Sequence, residues 1–137
     1  MPVESVSPQQ RAAVIRRAAG ICEYCRCQAR YASGPYAVDH IVPKARGGKN
    51  RLANLAYACS NCNGHKHTKI TGIDPLTGQS VSLFHPRRQK WEHHFAWDEG
   101  FTVIVGLTAV GRATITALHL NREEAINIRE ALRILKR

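Results

Sequence analysis

Long apolar runs and acidic residues are both scarce in this sequence. The shortage of long apolar runs excludes a membrane-spanning protein. No apolar segment approaches the roughly 20 residues that a membrane-spanning helix needs. The first residues also lack the basic and then apolar layout of a secretory signal. From these two absences we expect a cytoplasmic protein that does not have a membrane as a partner.

The chain carries 10 Asp and Glu residues against 20 Lys and Arg residues, which leaves a formal net charge of +10 near neutral pH. The imbalance is uneven, because Asp39 is the only acid between Glu23 and Asp74, and none occurs from Lys44 to Lys69. A surface of this sign suits a polyanion. Nucleic acid is therefore the expected partner.

The length and composition indicate one folded unit. The chain has 137 residues, of which 44% are hydrophobic and 22% are charged. These values are close to those of average globular domains, so a disordered or fibrous chain is excluded. The length suits one compact domain, and no internal repeat divides it. We therefore expect a single domain over residues 1–137.

The five cysteines form an odd set, and without a secretion signal a disulfide framework is not expected. Four of them make two CxxC pairs, Cys22 with Cys25 and Cys59 with Cys62. Two such pairs can place four thiolates around a structural zinc ion in tetrahedral geometry. Buried free thiols and a CxxC redox site are the alternatives. Cys27 is left over, although it could exchange roles with Cys25.

The chain around the cysteine pairs predicts four elements: a helix over residues 8–19, a strand over 36–42, a second strand or loop over 54–58, and a short helix over about 61–70. The first helix has the clearest start. Ser7 and Pro8 supply an N-cap and a first-turn proline, and Gln10 is a capping-box residue. The predicted order is therefore strand, loop, strand and helix, with one pair of zinc-binding cysteines at each end.

Residues 71–137 form a C-terminal extension with a pattern of its own. Turn-forming residues occupy positions 73–78. Two β-branched runs, at 102–108 and 113–118, flank Gly111 and predict a β-hairpin. Asn121 is a candidate N-cap for a terminal helix over about 122–136.

The metal-rich half carries an ordered set of motifs: Cys22-x2-Cys25, Asp39-His40, Gly47-Gly48, Asn54-Leu55 and Cys59-x2-Cys62-Asn63-x2-Lys66. This set resembles that of the HNH endonucleases, most strongly over residues 22–70. The resemblance implies an α+β fold with a ββα-metal core braced by the four-cysteine zinc site. The N-terminal helix would precede this core, and the β-hairpin and terminal helix would follow it.

His40 is the candidate general base. Phosphodiester hydrolysis needs a group that takes a proton from water, and histidine can be a neutral base near pH 7. A structural histidine on a strand is the alternative. By resemblance, Asp39 is a ligand of one divalent cation, and a carboxylate suits Mg²⁺ or Mn²⁺. A salt bridge from Asp39 to a neighbouring cation is the competing hypothesis. A flat strand would point the two side chains apart, so the strand end must bring them to one site.

Further positions complete the set that the resemblance implies. Asn54 would hold the loop and orient the base. Asn63 stands where the archetype has histidine, and its carbonyl oxygen would be a second ligand of the divalent cation. The lower-ranked alternatives for that ligand are His65 and His67. The expected phosphate contacts are Lys66 and Arg46.

The sequence as a whole predicts an endonuclease for DNA, with RNA as the second candidate substrate. It predicts two kinds of metal, a structural Zn²⁺ and a catalytic Mg²⁺ or Mn²⁺. The alternative is a non-catalytic zinc-ribbon module that binds nucleic acid, which the departure at Asn63 favours. A zinc-stabilised protein-interaction domain ranks last, because it does not explain the acid-free basic stretch.

Overall fold

The computed structural model describes residues 6–135. Its first helix, α1, covers Pro8–Ala18 and confirms the predicted capping box. The hydroxyl of Ser7 accepts a hydrogen bond from the amide of Gln10 at 3.1 Å, and the Gln10 side chain accepts one from the Ser7 amide at 3.0 Å. The helix ends at Ala19, whose φ of 55° lies in the left-handed region.

Two antiparallel strands and a helix form the central unit. Strand β1 (Ala37–His40) pairs with β2 (Leu55–Ala58), so that Asp39 lies opposite Ala56. Strand β2 is buried along its whole length, and α1 packs against it. Helix α2 (Ser60–Lys66) follows β2 almost at once. The predicted order of strand, loop, strand and helix is therefore confirmed.

A small hairpin leads out of the central unit. Strand β3 (Thr71–Ile73) pairs with β4 (Ser80–Ser82) around the predicted turn. The carboxylate of Asp74 closes this turn by accepting hydrogen bonds from an amide and a hydroxyl of the turn itself. Both of its oxygens also accept from the guanidinium of Arg112, at 2.9 and 3.0 Å. This pair ties the turn to a later part of the C-terminal extension.

The hairpin predicted for the C-terminal extension is wrong in its second strand. Strand β6 (Ile104–Gly106) lies within the first predicted run. Its partner is β5 (Phe95–Trp97), which follows the short helix α3 (Trp91–His94). Residues 113–118 belong instead to helix α4 (Ala109–Leu118).

Local capping and tertiary packing explain why a β-branched run forms α4. The hydroxyl of Thr108 accepts a hydrogen bond from the amide of Gly111 at 3.1 Å, which caps the helix. A Cβ at Gly111 would overlap the carbonyl oxygen of His94, so glycine permits this close approach. The buried hydroxyl of Thr114 accepts from the amide of Phe84 at 2.9 Å. These contacts outweigh the strand propensity of the run.

The terminal helix, α5, covers Glu123–Leu135. Asn121 was predicted to be the N-cap of this helix. Its side chain instead accepts from the amide of Ile104 at 2.7 Å and donates to the carbonyl oxygen of Ile104 at 2.8 Å. Arg129 of α5 is buried and donates to the carbonyl oxygen of Cys25 at 3.2 Å. Buried polar contacts therefore attach α5 to the first cysteine pair.

One hydrophobic cluster contains residues from both halves of the chain. Its fully buried members include Tyr24, Leu55, Phe95, Ile104, Leu118 and Leu120. The indole nitrogen of Trp91 donates to the carbonyl oxygen of Tyr24 at 3.0 Å, which adds a polar link. Within residues 6–135, no helix combines the length and apolar character needed to cross a bilayer. The arrangement confirms the predicted α+β class.

Candidate active site and metal centre

The four predicted cysteines converge on one point. The Sγ atoms of Cys22, Cys25, Cys59 and Cys62 all lie within 4.8 Å of one another, and the four residues are buried. The Sγ atoms of Cys25 and Cys59 are 3.7 Å apart. A tetrahedral zinc ion with Zn–S bonds of about 2.3 Å separates its sulfur ligands by about 3.8 Å. The cluster therefore fits a four-thiolate zinc ion, and Cys27 lies outside it.

Backbone geometry brings the two cysteine pairs together. The first pair is a tight turn in which the amide of Arg26 donates to the carbonyl oxygen of Cys22 at 3.0 Å. Glu23 attaches this turn to β2, because its amide donates to Tyr57 and its carboxylate accepts from the Tyr57 amide. The second pair forms the start of α2, where Cys59 is the N-cap residue.

The environment of the thiols suits a cation. Burial raises the pKa of Cys22, whereas hydrogen bonds from the other thiols lower the pKa of Cys25 and bring that of Cys59 to about 7. Arg122 completes the site, because its guanidinium lies 3.4 Å from the Sγ of Cys59 and 3.8 Å from the Sγ atoms of Cys25 and Cys62. Sequence reasoning missed Arg122, because about 60 residues separate it from the nearest cysteine and no local motif marks it.

Asp39 is not a lone carboxylate in the folded protein. Its side chain is 4% exposed, and its Oδ2 accepts a hydrogen bond from the hydroxyl of Tyr24 at 2.7 Å. The ammonium of Lys66 lies 3.2 Å from both carboxylate oxygens. Burial raises the pKa of Asp39, and the charge of Lys66 opposes this rise. The structure thus contains the salt bridge that was the competing hypothesis for Asp39.

Lys66 has a different position from the one predicted. It is 1% exposed, and its ammonium also donates to the carbonyl oxygens of His40 at 3.1 Å and Ile41 at 3.0 Å. An ammonium has three donors, and these acceptors use them inside the protein. This burial contradicts the predicted phosphate contact of Lys66. Arg46 does stay exposed, with its Nε donating to the carbonyl oxygen of Thr68 at 2.7 Å.

His40 ends β1 and is half-buried. Its Nε2 lies 2.5 Å from the side-chain oxygen of Asn50, in the loop between the two strands. An amide oxygen can only accept, so this contact assigns the proton to Nε2 and leaves Nδ1 as the basic nitrogen of the neutral ring. Asn50 was missed by sequence reasoning, because it lies ten positions after His40 in a loop without a marking motif. Lys66 contacts the side chain of Asp39 but only the backbone carbonyl oxygen of His40. Among the residues that the structure describes, the two side chains therefore share no hydrogen-bond partner.

Asn54 holds the loop in the way that the resemblance implies. Its side-chain oxygen accepts from the amide of Val42 at 2.8 Å, and its side-chain nitrogen donates to the carbonyl oxygens of Val42 and Lys49, both at 3.0 Å. Gly48 is pressed against this junction, since a Cβ there would overlap the backbone of Val42. The loop that carries Asn50 is therefore closed by one side chain and one glycine.

The α2 residues proposed as metal ligands lie in different environments. Asn63 is half-buried in α2, and its side chain makes no hydrogen bond to the residues that the structure describes. His67 is the C-cap of α2, and its amide donates to the carbonyl oxygen of Asn63 at 2.9 Å, one helical turn earlier. Its φ of 48° turns the chain out of the helix at this point, and the residue is exposed. The ring of His65 stacks on that of His119, with centroids 4.2 Å apart. His67 therefore stays a lower-ranked ligand candidate.

A cleft of about 330 Å³ opens beside the buried Lys66. Apolar residues line one part of it, and His85, Arg88 and Gln89 line the polar part. The Nδ1 of His85 accepts from two backbone amides, at 3.2 and 3.3 Å, which leaves Nε2 as its donor. Burial, with the charges of Arg88 and Lys66, lowers the pKa of His85. The cleft thus lies next to the end of β1 and has one exposed cation in its lining, Arg88.

The comparison with known protein families agrees with this geometry. Residues 22–69 match the family model described as HNH endonuclease. No curated protein matches the chain. The matched segment contains both cysteine pairs, the β1–β2 unit with its loop, and α2. Over residues 22–69 the chain is therefore similar to the HNH endonuclease family.

Proposed function

We propose that this protein is a metal-dependent endonuclease that hydrolyses phosphodiester bonds of DNA, with His40 as the general base. The observation that carries the proposal is the contact between Nε2 of His40 and Asn50 within the HNH segment. The proton on Nε2 leaves Nδ1 to accept a proton from an attacking water. Asn54 supports this arrangement by holding the loop that carries Asn50.

The charge of the chain supports a nucleic-acid substrate. The net charge is +10, and residues 44–69 contain six Lys and Arg residues without an acid. Arg46 and Arg88 are exposed, and Arg88 lines the cleft beside β1. Such cations neutralise phosphates and give binding that weakens with salt. In this proposal the substrate strand lies across the loop and the cleft.

The catalytic metal is the part of the proposal that requires a rearrangement. Asp39 and Asn63 would hold a hard divalent cation, which when bound would stabilise negative charge on the scissile phosphate. The ammonium of Lys66 already holds the cationic position beside Asp39, at 3.2 Å. Asp39 therefore fits the metal only if Lys66 withdraws. The protein's own contribution is to position His40 and the phosphate-facing cations.

The Asp39–Lys66 pair also favours a second candidate function. A carboxylate that is buried and neutralised by lysine is typical of a structural site. The alternative is a zinc-ribbon module that binds nucleic acid without cutting it. In that case DNA binding would depend on salt but not on His40.

Plasmid nicking tests the proposal. Supercoiled DNA is incubated with the zinc-loaded protein and Mg²⁺ or Mn²⁺, and a parallel series uses RNA. Removing a general base typically costs about 10²- to 10⁴-fold in rate, so His40→Ala should reduce nicking by that factor. His93→Ala changes an exposed histidine of α3 and is the matched control. Full nicking by His40→Ala would refute the assignment, and binding without nicking by the parent protein would establish the module.

A further inference from the structure

A second cleft, of about 350 Å³, lies between the first cysteine turn, the β5–β6 turn and α5. We call it the aromatic–arginine cleft, and it is lined by Arg26, Trp97, Phe101, Arg129, Leu132 and Arg133. It shares no lining residue with the cleft beside β1. The volume lies near the lower end of the range of about 300 to 1,000 Å³ for small-molecule sites, so it suits one flat group.

Phe101 presents its ring at the rim of this cleft. The residue is 64% exposed, and its backbone has a φ of 57°, in the left-handed region that bulky residues avoid. Asp98 holds the turn in this form, because its carboxylate accepts from the amides of Thr102 and Val103 at 3.0 and 3.1 Å. A large aromatic ring is thus kept in water on a backbone conformation that favours glycine. Neither packing nor backbone preference explains a phenylalanine here.

Arg129 is a buried cation in the lining of this cleft. It is 7% exposed, and its two Nη atoms donate to four acceptors: Thr102 O, Asn121 Oδ1, Cys25 O and Leu120 O. Its Nε is buried and has no hydrogen-bond partner among residues 6–135. This nitrogen is closed to solvent, so Arg129 contributes its positive charge to the cleft and not a free donor.

The remaining residues define the chemistry of that ligand. The Arg129 guanidinium lies 5.2 Å from the ring centroid of Trp97, and that of Arg26 lies 4.9 Å from the ring centroid of Trp91. Arg133 is exposed at the rim. The cleft thus combines the exposed ring of Phe101, for a flat apolar group, with cations for an anion attached to that group. A nucleobase with its phosphate has this combination of properties.

We infer that the aromatic–arginine cleft binds an unpaired nucleobase of a single-stranded nucleic acid. The base would stack on Phe101, and the adjoining phosphate would lie against Arg133, with the charge of Arg129 behind it. A paired base has its faces covered by its neighbours, so this site distinguishes single strands from duplex. The inference concerns binding and does not rest on the proposed cleavage reaction.

Binding of a fluorescein-labelled oligothymidine tests the inference by anisotropy, without added divalent metal so that cleavage does not contribute. The main variant is Phe101→Gly, because glycine accepts the left-handed backbone and the turn is kept. Phe101→Trp retains an aromatic face. Tyr31→Ala is the matched control, since Tyr31 is 44% exposed and has the guanidinium of Arg30 5.2 Å from its ring.

Phe101→Gly should weaken oligothymidine binding by about fivefold or more, as expected for one lost base–aromatic stack. Phe101→Trp and Tyr31→Ala should bind as the parent does, and the affinity for duplex DNA should not change. Equal affinities of Phe101→Gly and the parent for the single strand would overturn the inference. It would also be overturned by an equal loss of duplex affinity, or if poly-glutamate displaced the oligonucleotide as efficiently as unlabelled oligothymidine does, because the site would then not recognise a base.

Discussion

The ammonium of Lys66 lies 3.2 Å from both carboxylate oxygens of Asp39, and both side chains are almost fully buried. This ion pair attaches α2 to β1 inside the segment that matches the HNH family. It also fixes the end of β1, because the same ammonium binds the carbonyl oxygen of His40. Asp39, which has no acidic neighbour in the sequence, therefore forms an ion pair with a lysine 27 residues later.

Breaking this pair from one side should destabilise the fold strongly. Lys66→Met leaves the carboxylate of Asp39 buried without its cation, and such changes cost about 3–5 kcal/mol. The double variant Asp39→Asn with Lys66→Met removes both charges, so its cost should be smaller than the sum of the two single costs. Urea unfolding of the zinc-loaded proteins measures this double-mutant cycle. Additive costs would mean that the two charges do not interact.

Zinc should be bound at one ion per chain and should be required for the fold. Four buried thiols within 4.8 Å of one another repel as thiolates without a cation, so chelation should lower the melting temperature sharply. Metal analysis and thermal unfolding measure the two effects. Cys59→Ser should reproduce the loss, whereas Cys27→Ser should keep the zinc because that thiol lies outside the cluster. A stable, zinc-free Cys59→Ser protein would contradict the structural role.

Asn54→Ala should loosen the loop between β1 and β2. The change removes three hydrogen bonds to Val42 and Lys49 and leaves the Val42 amide without its partner. We expect a cost of about 1–3 kcal/mol in the free energy of unfolding. Nicking should fall further than this cost explains, because the loop also carries Asn50. Asn127→Ala changes an exposed asparagine of α5 and should leave both quantities as they are.

Asn50→Asp should change the pH dependence of nicking. A carboxylate beside Nε2 of His40 stabilises the protonated ring, so the general base becomes available only at a higher pH. The acid limb of the pH–rate profile should therefore move to higher pH in this variant. Asn50→Ala should lower the rate without that movement. An unchanged profile in Asn50→Asp would show that the contact does not act on the base.

The stability contributed by Asp74 should depend on pH in the acid range. Hydrogen bonds from the Arg112 guanidinium hold the pKa of Asp74 well below its usual range. A depressed folded-state pKa gives stability that is fully present above the unfolded value of about 4 and is lost as the pH falls below it. Asp74→Asn should therefore be less stable than the parent at pH 7, and the difference should shrink below about pH 4. Urea unfolding across that range measures the difference.

Several elements could be predicted because their signals are local. The capping box of Ser7 and Gln10 specifies the start of α1 through contacts three residues apart. The two CxxC spacings and the ordered HNH motif predicted the cysteine cluster and the family. The β1–β2 unit lies close to its predicted bounds, since turn residues mark it within a few positions. Helix α2 begins as predicted but ends at Lys66, about four residues before its predicted end.

The errors have a common physical cause, which is contact between distant residues. The β-branched run 113–118 forms part of helix α4 because two residues of that helix contact distant segments. Gly111 packs against His94, and Thr114 binds the amide of Phe84. Lys66 has the spacing of a phosphate ligand, but its side chain is buried in an ion pair with Asp39. Asn50 and Arg122 have no local signature, because their partners lie ten or more residues away.

The sequence by itself determined the basic charge, the two cysteine pairs and the order of the elements in the HNH segment, because each depends on residue type and short spacing. Only the tertiary structure decided which donors and acceptors meet. It placed Lys66 beneath Asp39, Asn50 against His40, and Arg129 with one buried nitrogen beside Phe101. Buried polar atoms are nearly always hydrogen-bonded, and the packing of distant segments determines which partners lie within reach.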